Sequence, residues 1–232
     1  MEEKFRDKIV KLAIPIMVQQ FMLAIVSACD AFMLGGLNQD SLSAVSLASQ
    51  ITFVFNLVLT ALTIGENMFV AQYYGKKDFN GVRKSAGLVL KYVLLVSLFF
   101  LIITLLAPGI LMRLFTNDTA LIDYGMKYLR FIGLSYVFSG ILQVLQGILK
   151  NCGFVGTCTI VSGIVVCFNV VLNAGFIYGY FGFPRMEIAG AAVATVLANG
   201  IGLLVTIYML YREKNLWLRI PDLKSKGEDI TG

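Results

Sequence analysis

Histidine is absent from this 232-residue chain, and charged residues make up only 14% of it. Without histidine the chain has no imidazole for acid–base catalysis or for binding zinc. A soluble domain carries about 25% charged residues, so the scarcity of charge argues against that class. The chain also lacks an HExxH motif, and we do not expect an enzyme. The remaining composition, 58% hydrophobic, is typical of an integral membrane protein.

Six apolar segments are each long enough to cross a bilayer, because a hydrocarbon core about 30 Å thick requires roughly 20 residues of helix. The sequence therefore predicts an all-α integral membrane protein, a six-helix transmembrane bundle over residues 1–215. The predicted spans are 9–34, 45–72, 87–107, 128–149, 156–181 and 188–211. The longer connections 73–86 and 108–127 are predicted as loops, the first with a helical stretch. A cytoplasmic polar tail is predicted over 216–232.

The distribution of basic residues predicts the orientation in the membrane. If the N-terminus is cytoplasmic, all but four of the 19 Lys and Arg residues fall on the inner side, the exceptions being Arg113, Lys127, Arg130 and Arg185. Basic residues favour the cytoplasmic side. We therefore expect a multi-pass protein of the cell (plasma) membrane with both termini inside. The net charge of +5 reflects this orientation and does not indicate nucleic-acid binding.

Asp30 is a lone carboxylate inside the first apolar span. A charge in the membrane is costly, so Asp30 is expected to face the protein interior and is a candidate functional residue. It can hold a proton, or it can coordinate a hard cation such as sodium, which prefers oxygen ligands. A third interpretation is a structural acid bonded to neighbouring amides.

Three other polar residues are expected at the depth of Asp30. Asp30 and Asn173 both lie past the midpoints of spans that run outward, whereas Thr195 lies near the start of a span that runs inward. With Asn169, these residues can meet if the first, fifth and sixth spans pack together. Further polar side chains form stripes that either line a cavity or join helices; the possible cavity residues are Gln19, Gln20, Ser27, Asn56, Gln143, Gln146 and Asn199.

Glu66 is a second acid, near the inner end of the second span. Span ends tolerate charge better than span centres. We therefore expect Glu66 to extend toward the cytoplasmic interface or to pair with a loop lysine such as Lys76. Its role stays open at this stage.

Several short segments, in the same order along the chain, resemble the multidrug and toxic compound extrusion (MATE) family. The first contains Pro15, the second is CDAFMLGGL around Asp30, and others contain the two asparagines and Thr195 discussed above. The segments are 12–16, 29–37, 42–48, 70–78, 145–150, 168–173 and 189–195.

The resemblance implies a twelve-helix fold in two related lobes, of which this chain corresponds to the N-terminal one. The second lobe would be a C-terminal half, a separate chain or a second copy. The implied function is an efflux antiporter that exports amphipathic or cationic drugs against an inward flow of protons or sodium, with no other cofactor. Alternatives are a lipid-linked flippase of the related superfamily and a non-transporting membrane interaction module.

The resemblance also implies roles for individual residues. Asp30 matches the family's coupling acid, a metal ligand if the ion is sodium, and Asn169, Asn173 and Thr195 match positions beside it. Some members carry Asp where this chain has Asn173, a departure that favours protons over sodium. Pro15 matches a proline of the first helix and is the expected hinge, because proline frees a backbone carbonyl and permits bending.

Overall fold

The computed structural model describes residues 2–212, and the predicted tail over 216–232 lies outside them. The described chain forms α1 (Glu2–Gly35), α2 (Gln39–Gly75), α3 (Phe79–Leu106), α4 (Pro108–Arg113), α5 (Thr119–Asn151), α6 (Val155–Tyr178) and α7 (Ile188–Arg212), with a 3-10 turn at Tyr180–Gly182. Six of these helices, all except α4, are long and apolar enough to cross a membrane. The predicted all-α, six-span architecture is confirmed.

Polar caps extend the helices beyond the predicted spans. The predicted loop over 73–86 shrinks to residues 76–78, because Asp78 accepts hydrogen bonds from the backbone N–H groups of Asn80 and Gly81 at 3.1 and 3.0 Å and begins α3 there. Asp118 similarly accepts from the N–H of Ala120 at 2.8 Å and begins α5 inside the second predicted loop. Helix ends therefore follow capping residues and not the limits of the apolar runs.

Helix α5 is the centre of the bundle and packs against α2, α3, α6 and α7. Phe55, Ile132 and Tyr136 belong to its largest apolar cluster, in which the Phe55 and Tyr136 ring centroids are 4.5 Å apart. Helix α1 lies at the edge, where it packs along α6 and touches α2 little. This arrangement leaves space between α1 and α2 that α5, α6 and α7 close from behind.

Candidate functional site

Asp30 lies at the start of a chain of side-chain hydrogen bonds that joins α1, α6 and α7. The Asn173 Nδ2 group donates to Asp30 Oδ1 at 2.5 Å and to Asn169 Oδ1 at 3.0 Å. Asn169 Nδ2 donates in turn to Thr195 Oγ1 at 3.3 Å. The structure thus brings together the four residues that the sequence placed at one depth.

Close packing of α6 and α7 holds this chain of bonds in place. Asn169 and Asn173 are four residues apart and therefore share one face of α6. At Gly190, near the start of α7, a Cβ atom would lie 2.6 Å from the Phe176 carbonyl oxygen. Only glycine permits this approach, which brings Thr195 within reach of Asn169.

The site offers oxygen atoms that remain free to bind a cation. Asp30 is partly buried, and Asn173 Oδ1 is buried without a hydrogen-bond partner among the described residues. The amide nitrogen of Asn173 points at Asp30 because a carboxylate accepts hydrogen bonds and an amide oxygen cannot donate them. A carboxylate beside amide and hydroxyl oxygens can hold a proton or help to coordinate a hard cation.

Two adjoining cavities meet at Asp30, with volumes of about 490 Å³ and about 340 Å³. The larger is lined by residues of α1, α2, α5, α6 and α7. The residues that line both cavities are Ser27, Asp30, Ser49, Tyr128 and Thr195. Asp30 is therefore accessible from a space large enough for a small organic molecule.

The lining of these cavities carries a carboxylate and no Lys or Arg. Phe53, Phe55, Tyr128 and Tyr136 provide aromatic surface in the larger cavity. Aromatic rings and a carboxylate suit a cation with an apolar body. Neither cavity lining offers a basic side chain to an anionic headgroup.

The predicted cavity residues divide into two groups. Ser27, Asn56 and Asn199 line the larger cavity, whereas Gln19, Gln20, Gln143 and Gln146 line neither of the cavities at Asp30. Gln19 lies 11 residues before Asp30 in α1, which is about 16 Å along the helix axis. Side chains on one helix face can therefore belong to different levels of the bundle.

Gln19 forms a separate polar cluster at its own level. It is buried, and its Nε2 group donates to Gln146 Oε1 at 3.2 Å and to Ser162 Oγ at 2.5 Å. Gln20, the next residue of α1, is exposed on the outside of the bundle. That the four glutamines line a cavity stays a prediction, and the structure places none of them in the two cavities at Asp30.

Six polar residues of the larger cavity were not among the predicted cavity residues: Ser49, Thr52, Tyr128, Ser135, Tyr136 and Ser139. The Thr52 and Tyr136 hydroxyl oxygens are 3.0 Å apart. A signal existed for four of them, because Thr52 and Ser49 lie one and two helical turns before Asn56, and Ser135 and Ser139 lie one turn apart. The tyrosines carried no such signal, since their rings also suit an apolar core.

Glu66 is fully buried, and the expectation that it reaches the interface or pairs with Lys76 is wrong. Its exposure is 0%, and neither carboxylate oxygen has a hydrogen-bond partner among the described residues. Lys76 is exposed at the end of α2. The cause is the orientation of Glu66 about the axis of α2, because Glu66 lies on the buried face of this helix with Leu59, Thr63 and Val70.

Pro15 lies inside α1, which continues without interruption on both sides of it. The Thr159 hydroxyl of α6 donates to the Pro15 carbonyl oxygen at 3.2 Å. The proposed hinge is therefore in contact with α6, one level below Gln19.

The fold and the site define a multi-pass membrane protein with a cavity that contains an acid. Residues 15–174 match the MatE family model. The chain belongs to this family, the multidrug and toxic compound extrusion transporters.

Individual relatives show how much of a family member the chain covers. It is 30% identical over 233 residues to the probable multidrug resistance protein NorM of Thermotoga maritima, a match over 98% of this chain and 50% of that protein. It is 27% identical to the protein of the same name from Agrobacterium fabrum, over 88% of this chain and 44% of that protein. The chain spans about half the length of these curated relatives.

A solved structure shows the same fold. A MOP superfamily transporter from Pyrococcus furiosus superposes with a TM-score of 0.85 at 23% identity, over 95% of this chain and 48% of that one. The described bundle therefore has the fold of about half of that transporter.

Proposed function

We propose that the chain forms one lobe of an efflux antiporter that exports amphipathic or cationic drugs in exchange for an inward-moving cation. Asp30, Asn169, Asn173 and Thr195 form the coupling site. The observation that carries the proposal is the Asp30 carboxylate, bonded to Asn173 and open to a cavity of about 490 Å³ without a basic side chain. Such a carboxylate can be occupied by a cationic drug or by the coupling ion, in competition.

Protons support this exchange better than sodium. Asp30 is the only carboxylate among the residues that line the two cavities. A sodium site needs several oxygen ligands arranged around the ion, and a second carboxylate would strengthen it. A proton needs only Asp30, and its binding removes the negative charge that attracts a cationic drug.

Helix α1 is the element that would convert ion binding into movement. Its side-chain hydrogen bonds to α6 lie at successive levels, at Pro15, Gln19, Asp30 and Met33. A hydrogen bond to an ionised carboxylate is about twice as strong as one between neutral groups. Protonation of Asp30 therefore weakens one of the bonds that hold the outer part of α1 to α6, so that this part of the helix can bend more easily above Pro15. Coupling follows if the two positions of α1 bind the proton differently.

A second lobe completes the transporter in this proposal. Transporters built from two repeats move one repeat against the other around a central site. Helix α1 exposes large apolar side chains on one face, with Met17 67%, Phe21 68% and Phe32 85% exposed. We propose that a C-terminal half, a separate chain or a second copy stands opposite the cavity, in the plasma membrane, with the termini of this chain cytoplasmic.

Efflux of a fluorescent cationic dye from cells or vesicles carrying the native assembly tests this function. We expect Asp30→Asn to abolish efflux, because the amide can neither bind a proton nor attract a cation. Asp123→Asn is the matched control, since Asp123 is an exposed acid of α5, and it should leave efflux unchanged. Normal efflux by Asp30→Asn would reject the coupling role.

A further inference from the structure

Glu66 occupies a sealed position between α2 and α5. Its carboxylate lies beside Gly147, where an added Cβ atom would come 3.3 Å from Glu66 Oε2 and 3.0 Å from Asn67 Oδ1. Asn151 Nδ2 donates to Asn67 Oδ1 at 2.6 Å and to the Gly147 carbonyl oxygen at 2.8 Å. Both N–H groups of Asn151 are thereby used, and neither is available to Glu66.

No basic side chain in the described part of the protein hydrogen-bonds to the Glu66 carboxylate. The titratable groups at the inner ends of the packed helices include Tyr73, Tyr74, Lys76, Lys77, Asp78, Arg83, Lys84, Lys91, Lys150, Cys152 and Cys158. Among the described residues none of them hydrogen-bonds to either oxygen of Glu66. An ionised carboxylate buried without a partner is strongly disfavoured. The side chain must therefore carry a bound cation or be neutral.

We propose that Glu66 is a second proton-binding site, separate from Asp30, whose proton holds α2 against α5. A protonated carboxyl group has one O–H donor, and the Asn67 amide oxygen on the same side of Gly147 is the acceptor that the interface offers. Loss of the proton leaves an unpaired charge, so α2 and α5 must separate or water must enter. Proton exchange at Glu66 is thus linked to opening of this interface.

A proton fits this position better than sodium. A sodium ion needs several oxygen ligands and the volume to hold it. The Asn67 and Gly147 oxygens already accept hydrogen bonds from Asn151, and the Gly147 backbone lies directly against the carboxylate. A proton requires neither additional ligands nor space.

The position of Glu66 separates it from the Asp30 site. Ser49 of α2 shares both cavities with Asp30, and 17 helical residues from Ser49 to Glu66 correspond to about 25 Å along the axis. The two acids therefore lie toward opposite ends of the bundle. In the proposed orientation, Glu66 is the acid nearer the cytoplasm. Its use during transport rests on the proposed function, but its proton binding does not.

Infrared spectroscopy of the full chain in lipid nanodiscs tests this site directly, without substrate. We expect the C=O stretching band of a neutral carboxylic acid at neutral pH, which shifts in deuterated water. The band should disappear in Glu66→Gln, remain in Asp30→Asn and move in Glu66→Asp, which keeps an acid. A band unchanged in Glu66→Gln would overturn the proposal, and so would a band that appears only when sodium is removed.

A second measurement uses the unaltered sequence and does not depend on folding of a variant. Hydrogen exchange of the amides in residues 143–151 should accelerate above the intrinsic pH trend as pH rises, because deprotonation opens the interface. Exchange that follows the intrinsic trend alone would contradict the proposal. Dye efflux by Asp30→Asn decides the coupling function separately, so either hypothesis can fail without the other.

Discussion

Asp30 and Glu66 are both acids within apolar helices of one bundle, yet their surroundings differ in every respect. Asp30 is partly buried on the edge helix α1, receives a hydrogen bond from Asn173 and lines two cavities. Glu66 is fully buried on α2 and has no partner among the described side chains. An acid that must exchange its ligand needs access, whereas an acid sealed in an interface reports whether that interface is closed.

The helices that carry and contact the two acids differ in the same way. Helix α5, opposite Glu66, has a row of glycines at which a Cβ atom would come within about 3 Å of a neighbouring helix: Gly125, Gly133, Gly140 and Gly147. Helix α1 has no comparable contact at Gly35 and exposes much of its apolar surface. Helices α2, α3 and α5 are therefore closely packed, whereas α1 lies at the edge of the bundle along α6.

Substitution by lysine should give the largest difference in stability between positions 66 and 30. We expect Glu66→Lys to destabilise the protein by several kcal/mol, because an ammonium group in a sealed interface has no counter-ion. Asp30→Lys should cost much less, since its side chain can extend into the cavity. Thermal unfolding followed by far-UV circular dichroism measures both. Equal losses, or a larger loss for Asp30→Lys, would contradict the assigned difference in access.

Removal of one amide near each acid should distinguish an effect on ion coupling from an effect on protein stability. Asn173→Ala deletes the donor to Asp30 and Asn169, and Asn151→Ala deletes the donor to Asn67 and Gly147. Each change should cost about 1–3 kcal/mol because buried acceptors lose their partners. Only Asn173→Ala should also lower dye efflux. If Asn151→Ala lowers efflux equally, the Asp30 cluster has no special role in coupling.

Addition of an acid beside Asp30 should change the preferred ion. Asn173→Asp places a second carboxylate at the oxygen-rich site, and two like charges at close range favour either a bound proton or a bound cation. We expect sodium binding to become measurable by isothermal titration calorimetry, with affinity increased about tenfold or more. Asn67→Asp, near Glu66, is the matched control and should not bind sodium. Strong sodium binding by the natural sequence would contradict the preference for protons.

Depth in the membrane was predictable from the sequence, because helical rise converts residue number into height. This arithmetic placed Asp30, Asn169, Asn173 and Thr195 at one level, where the structure joins them. It also separates Gln19 from Asp30 by three turns, although both lie on the inner side of α1. The helical stripes alone did not give the level of each glutamine, because residues on one face of a helix can belong to different sites.

Rotation of a helix about its axis was less predictable. Glu66 lies near the end of an apolar run, a position that usually extends to the interface. Its side chain points inward because Gly147 of α5 leaves room for it, and no pattern within α2 contains that information. The caps at Asp78 and Asp118 were also not predictable from hydropathy. They begin α3 and α5 before the apolar runs do, through local hydrogen bonds.

The smallest effect we expect is at Thr159, which contacts helix α1, the helix that carries Asp30. Thr159→Val removes the hydrogen bond to the Pro15 carbonyl oxygen while keeping the side-chain shape, at a cost of about 1 kcal/mol. Thr159→Ser keeps the hydroxyl and is the control. Hydrogen exchange over residues 13–20 should be faster in the valine variant and unchanged in the serine variant, whereas the infrared band assigned to Glu66 should stay constant in both. Because Thr159 holds α1 at the proposed hinge, equal exchange in the two variants would show that this bond does not restrain its bending.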